Sequence, residues 1–311
     1  MKKMINTEHI SGYVYNHSLV VKQVQNKNSE NYGKDFISGE LNIATDEEGM
    51  NVIPVHFTFV TPTTKTGAKN NTYTALNTII EAEGRTWTAG GKENAIKVSV
   101  NTSIALNDFI NNEGEKISVM RNEGGFVSII NNFDNEPENK RNTFSADMVV
   151  MNVKNIEANP DKGIEKNYDI LHGAIFNFRG ALLPVDFAIK NERGMAFFEN
   201  QEISNSNPLF IKVNGRIMNT TQVIEKVEES ADWGDTIVSS TPKKNREWVV
   251  TGSSKFPYEL SEDSNDLTPE ELKSAIQDRE LYWAEVKKRN DEYLASKQTT
   301  SSDNKFTFGS F

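Results

Sequence analysis

A chain of 311 residues has room for about two ordinary domains, and 36% apolar with 25% charged residues allows a sizeable core beneath a very polar surface. No apolar run approaches the ~18 residues of a membrane helix, and the start, Met1-Lys2-Lys3-Met4-Ile5-Asn6-Thr7-Glu8, has no apolar signal segment. The lack of cysteine excludes disulfides and cysteine-ligated zinc or iron–sulfur centres; the expectation is a cytoplasmic protein, with no membrane and no cofactor. The net charge of −10 weighs against a nucleic-acid binder, but residues 256–311 alone carry 7 basic and 12 acidic side chains, and a binding face needs only a local positive field. Asn is abundant and Lys outnumbers Arg, the bias that AT-rich coding in a low-GC bacterium or its phage produces.

Residues 10–24, rich in Val and Tyr, read as a long strand, followed by a polar loop over 25–34. Two alternating runs, Ile37-Ser38-Gly39-Glu40-Leu41-Asn42-Ile43 and Ile53-Pro54-Val55-His56-Phe57-Thr58-Phe59, flank the turn Asp46-Glu47-Glu48-Gly49. A basic loop at 61–71 precedes a helix expected over 73–83, capped by Asn71 or Thr72 and ended by Gly84. A second loop, Arg85-Thr86-Trp87-Thr88-Ala89-Gly90-Gly91-Lys92, leads into a strand at 95–104. A hairpin with Asn122-Glu123-Gly124-Gly125 at its turn closes the unit through Phe126 to Asn131.

The same order then returns. Residues 134–143 lack periodicity and read as a linker. Strands are expected from Met148 to Ile156, through Leu171-His172-Gly173-Ala174-Ile175-Phe176-Asn177 and through Leu183-Pro184-Val185-Asp186-Phe187-Ala188-Ile189. A weak helix is expected at 195–203, with strands again at Ile211-Lys212-Val213 and Trp248 to Thr251. The repeated Gly, Pro-Val-x-Phe and Ile-Lys-Val argue for a duplicated β unit. Strand–strand–strand–helix–strand–strand is the order of an OB-fold barrel. The fold class is therefore mainly β: two tandem OB-fold-like barrels, 1–133 and 144–258, joined by the linker 134–143. An acidic segment and α-helix (259–298) and a flexible tail (299–311) complete the chain. Pro269 and Glu270-Glu271 mark the helix start.

Catalytic constellations are thin. His9, His17, His56 and His172 lack metal-ligand spacing, and no Walker loop or nucleophile elbow occurs; the chain reads as a binding protein rather than an enzyme. Alternation places Phe36, His56, Lys97, His172, Phe176, Phe178, Lys212 and Arg216 on outward faces. A register slipped by one would instead make Phe176 and Phe178 core. Rings among cations suit single-stranded nucleic acid, DNA or RNA: rings stack on bases at about 1–3 kcal/mol each and Lys or Arg follows the phosphates. The candidate contacts are Trp87, Phe176, Phe178, Lys97, Lys212 and Arg216, with Arg85 and Lys92 beside them.

On these units, the basic–aromatic loops and the acidic extension, residues 8–255 resemble phage and bacterial OB-fold single-stranded DNA-binding proteins, in a tandem plan nearer replication protein A. The resemblance implies sequence-tolerant binding in phage or plasmid DNA replication, repair or recombination. It also implies recruitment of replication or recombination proteins through a C-terminal tail. Here Phe306, Phe308 and Phe311 would be the anchors; Phe311 matches the terminal Phe of bacterial members, while Pro is absent and only Asp303 is acidic nearby. The competing class is a β-rich structural or assembly protein, of virion type, that binds protein through its helix and tail.

Overall fold

The computed structural model describes residues 4–133, 136–228 and 237–302, the side chains of 222–243 and 296–302 excepted. The first unit comprises β1 (Asn6–His17), β2 (Val20–Gln23), β3 (Asp35–Ala44), β4 (Val52–Val60), α1 (Asn71–Glu81), the single turn α2 (Trp87–Gly90), β5 (Lys97–Ile110) and β6 (Lys116–Ile130). The second comprises β7 (Asn142–Ile156), β8 (Tyr168–Phe176), β9 (Leu182–Ile189), α3 (Glu192–Glu199), β10 (Leu209–Glu228) and β11 (Ile237–Ser253); α4 (Pro269–Ser302) follows.

Pairing closes each unit on itself. In the first, β1 pairs with β3, β3 with β4, β4 in parallel with β6, β6 with β5, and β5 with β1. In the second, β7, β8, β9, β11 and β10 repeat that circuit, including the parallel β9–β11 contact. This is the five-strand OB order with its helix between the third and fourth strands, found twice. The circuits are fused, because β1 also pairs antiparallel with β7, Asn6 opposite Ala146 and His9 opposite Thr143. One core runs through both: Ile10, Leu41, Phe57 and Ile104 share it with Phe144, Leu171, Phe187 and Trp248. Each such side chain contributes roughly 1.5–3 kcal/mol by leaving water.

Local chemistry moves several expected boundaries. The first strand breaks at Ser18-Leu19, where Leu19 turns inward to 3% exposure and Ser18 N–H bonds Glu40 O. Helix α1 starts earlier than expected because Asn70, not Asn71 or Thr72, accepts from Thr72 N–H at 3.1 Å. Helix α3 also starts earlier, with Asn191 accepting from Gly194 N–H at 2.7 Å. The β5–β6 turn is at 111–115, where Asn111 Oδ1 accepts from Glu113 and Glu115 N–H. The expected turn at 122–125 is a bulge inside β6, where Gly125 (φ +105°) must be glycine because a Cβ would overlap the Asn101 carbonyl oxygen. A register shift between Ile37 and Gly39 turns Phe59 outward, to 45% exposure against Phe36. Strand β7 begins inside the stretch expected as linker.

Residues after β11 fold back over the second barrel. Tyr258, Leu260, Leu267, Leu272 and Ala275 pack with Met4, Val149, Ala174, Phe176 and Phe210. Thr268 and Glu271 then cap α4 reciprocally, Thr268 Oγ1 accepting from Glu271 N–H and Glu271 Oε2 from Thr268 N–H. Arg279 fixes the helix to the long β5–β6 hairpin through two bonds to Asp108, at 2.7 and 2.6 Å. Helix α4 runs through Ser302, four residues into the expected flexible tail, since no Gly or Pro interrupts it. Phe306, Phe308 and Phe311 lie outside the described residues. No helix among those described is long and apolar enough to cross a membrane.

Candidate nucleic-acid interface

The pairing β10–β7–β1–β5 places the outward residues of both barrels on one continuous sheet face. Lys97 lies opposite Tyr13, Asn101 opposite His9, His9 opposite Thr143, and Thr143 opposite Arg216. Phe126, 77% exposed, sits beside Asn101 on the same face. It borders a shallow cavity of ≈450 Å³ with His9, Thr143 and Ser145.

At one end of this face the α2 loop folds a set of rings and cations together. Tyr13 meets Trp87 edge-on at 5.5 Å and Phe133 at 5.2 Å, and Tyr15 lies 6.0 Å from Trp87. Lys92 Nζ lies over Tyr13 and Trp87 at 5.6 and 5.8 Å. Lys97 Nζ lies over Tyr13 and Phe133 at 5.7 and 5.8 Å. The Arg141 guanidinium stacks on Phe133 at 3.8 Å. Such pairs are each worth about 0.5–1 kcal/mol at exposed sites. They keep rings and cations at fixed spacing before any ligand arrives.

Glu47, on the turn between β3 and β4, gathers three of these groups. Its carboxylate accepts from Lys92 Nζ at 2.7 Å, Arg141 Nη1 at 2.8 Å and the Tyr13 hydroxyl at 3.1 Å. The hydrogen bonds from Lys92 and then Arg141 hold the Glu47 carboxyl down to about 2. The Lys92 ammonium is raised in turn, chiefly by its bond to Glu47. Burial, then Glu47, raises the Tyr13 phenol. Asp46 builds the turn by accepting from Met50 and Asn51 N–H at 2.9 and 2.7 Å. Gly49 (φ +71°) lies against the Trp87 ring, where a Cβ would come within 3.2 Å.

The structure thus brings Trp87, Lys92 and Lys97 together, with Arg85 exposed at the start of the same loop and its Nε 3.5 Å from Asn94 O. Lys212 and Arg216 lie on the same sheet face across the barrel junction, and Arg216 Nε donates to Asn142 Oδ1 at 3.1 Å. Two expected contacts are elsewhere. Phe176 has no exposure: it points outward from its barrel as alternation requires, but the returning C-terminal segment covers it, so it is core and cannot stack on a base. The register is not slipped, since Ile175 and Leu171 fill the barrel interior. Phe178 is 79% exposed at the β8–β9 turn, next to a separate groove of ≈720 Å³ between that turn, β5–β6 and α4.

Tyr13, Phe126, Phe133 and Arg141 are the functional candidates that sequence reasoning missed. Only the outward parity of Tyr13 with Lys97 could have signalled one of them.

Other constellations are less suited to chemistry. His9 and Ser11 both bond Glu136, at 2.7 and 2.5 Å, so the carboxylate stands between the imidazole and the hydroxyl where a nucleophile would need the imidazole. Asp46, Glu48 and Glu138 bring carboxylate oxygens within 4.8 Å of one another, but Asp46 already accepts two backbone donors.

The YorF family profile matches residues 11–289. No curated protein matches the chain in sequence. Among solved structures, a deletion mutant of the single-stranded DNA binding protein from Thermus aquaticus aligns at TM-score 0.47 and 11% identity, over 85% of this chain and 100% of that one.

Proposed function

The chain belongs to the YorF family, and we propose that it is a sequence-tolerant single-stranded DNA-binding protein supporting phage or plasmid DNA replication, repair or recombination. One observation carries the reading: the half-buried rings of Trp87 and Phe133, held on either side of the nearly buried Tyr13, interleave with Lys92, Lys97 and Arg141 on the outer face of an OB barrel. Rings stack on any base and cations follow the phosphates, which gives affinity without sequence readout. The overall charge of −10 is compatible, because these cations are gathered locally on the sheet face. The Asn-rich, Lys-over-Arg composition supports a low-GC bacterial or phage source and a bacterial cytoplasm as the place of action.

Titration with fluorescent oligo-dT tests it. Binding should weaken steeply with salt, with a log–log slope of about −0.7 per phosphate neutralised. No binding at ~50 mM salt removes the proposal.

The second reading, an assembly protein that binds protein through its helix and tail, is favoured by the groove beside Phe178 and by exposed Leu281 and Leu294 on α4. It predicts partner capture from the host that oligo-dT does not affect. Recruitment of a replication or recombination protein through Phe306, Phe308 and Phe311 would accompany either activity. Capture that survives deletion of 303–311 would argue against that role for the tail.

A further inference from the structure

We propose that Lys92, Arg141 and the Tyr13 hydroxyl form a phosphodiester subsite whose place the Glu47 carboxylate takes here, so that a DNA phosphate and Glu47 compete for one position. This rests on the single-stranded DNA reading above. Three donors on three separate parts of the chain converge on the two carboxylate oxygens at 2.7, 2.8 and 3.1 Å. A phosphodiester also presents two anionic oxygens to such donors. The donors also have contacts besides the Glu47 carboxylate, Lys92 Nζ among them donating to the Glu47 backbone carbonyl at 2.9 Å. Arg141 is stacked on Phe133, Lys92 lies over two rings, and Tyr13 is packed between Trp87 and Phe133.

Access is from solvent. The Glu47 side chain is 38% exposed, whereas that of Arg141 is 10% exposed, so the carboxylate is the outer member of the pair. The turn that carries Glu47 also covers one edge of Trp87 through Gly49. Moving this turn aside would free a phosphate position and a stacking ring together. Glu47 therefore acts as a competitor built into the site: it sets a threshold that non-specific anions at low concentration do not cross.

The test compares oligo-dT affinity and salt slope for the wild-type chain, Glu47→Gln, Glu48→Gln and the double variant Glu47→Gln/Lys92→Ala. Glu48→Gln removes the same charge from the exposed neighbour on the turn. Glu47→Gln should tighten binding about five- to tenfold at ~50 mM salt and steepen the slope by about one phosphate contact. Glu48→Gln should change affinity less than about twofold, and Lys92→Ala should remove most of the gain. Equal effects of Glu47→Gln and Glu48→Gln overturn the subsite, as does weaker binding by a Glu47→Gln protein that melts like wild type. If Glu47→Gln fails to fold, Glu47→Asp, which keeps the charge but shortens the reach, should still tighten binding; unchanged affinity there has the same negative meaning. Absence of oligo-dT binding by the wild-type chain sinks the DNA reading and the subsite with it, whereas wild-type binding that Glu47→Gln leaves unchanged sinks the subsite alone.

Discussion

The indole Nε1 of Trp248, on the last strand of the second barrel, donates at 2.8 Å to Glu8, on the first strand of the first barrel. Glu8 is 2% exposed and its second carboxylate oxygen has no hydrogen-bond partner among the described residues. Burial pushes its carboxyl up to about 8, against lowering by Trp248 and by the nearby Arg246. The folded protein therefore holds at neutral pH a proton that the unfolded chain releases.

Stability should accordingly fall with rising pH. The folded-state value lies above the unfolded one, so the contribution is complete below about 4.5 and is lost as pH rises through about 8. The loss by pH 9 is of order a few kcal/mol. Thermal melts of wild type at pH 5, 7 and 9 should show the decline, and Glu8→Gln should flatten it. A wild-type melting temperature that rises from pH 5 to 9 would contradict this assignment.

Phe126 and Lys97 should separate stacking from charge. Phe126 is 77% exposed, so Phe126→Ala should leave the melting temperature unchanged, weaken oligo-dT binding by about 1–2 kcal/mol and keep the salt slope. Lys97→Ala should flatten the slope by about one contact. Fluorescence titrations at three salt concentrations give both readings.

Phe176 and Phe178, two residues apart on one hairpin, should behave oppositely. Phe176→Ala opens a cavity among Val149, Phe210 and Leu272 and should cost about 3–5 kcal/mol by urea unfolding. Phe178→Ala should change stability by less than about 0.5 kcal/mol. Similar losses for the two would mean that the C-terminal segment does not cover Phe176.

Arg279 anchors α4 through Asp108, whose side chain is 3% exposed. Arg279→Ala leaves that carboxylate buried without its guanidinium, and a loss of about 3 kcal/mol is expected. Limited proteolysis should then cut within α4 sooner than in wild type; an unchanged digestion pattern would show that Leu272 and Val286 hold the helix by themselves.

The barrels were legible because alternation is strict where it matters: Leu41, Ile43, Val55 and Phe57, and again Ile175, Val185 and Phe187, all point inward. Local pattern failed where a distant segment decides. Gly124-Gly125 has turn composition, yet pairing with Asn101 makes it a bulge, and the shorter Asn111–Glu115 segment takes the turn. Phe176 obeys its parity, but a segment some eighty residues later covers it. Half of the candidate interface was visible as the Arg85–Lys92 loop. The other half, Tyr13, Phe133 and Arg141, joins it only through contacts between residues far apart in the chain, such as Tyr13 with Trp87 and Arg141 with Glu47. Periodicity says nothing about such contacts.

Strand β1 has partners on both sides, β3 and β5 from its own barrel and β7 from the other. Loss of β1 opens the first barrel and strips the second of its β7 partner and of the core they share, so the two should melt as one cooperative unit despite their separate circuits. Urea unfolding followed by far-ultraviolet circular dichroism and by tryptophan fluorescence should give coincident transitions, with the single large slope of a chain that exposes all its surface at once. Two resolved transitions would mean that the β1–β7 seam yields before either barrel does.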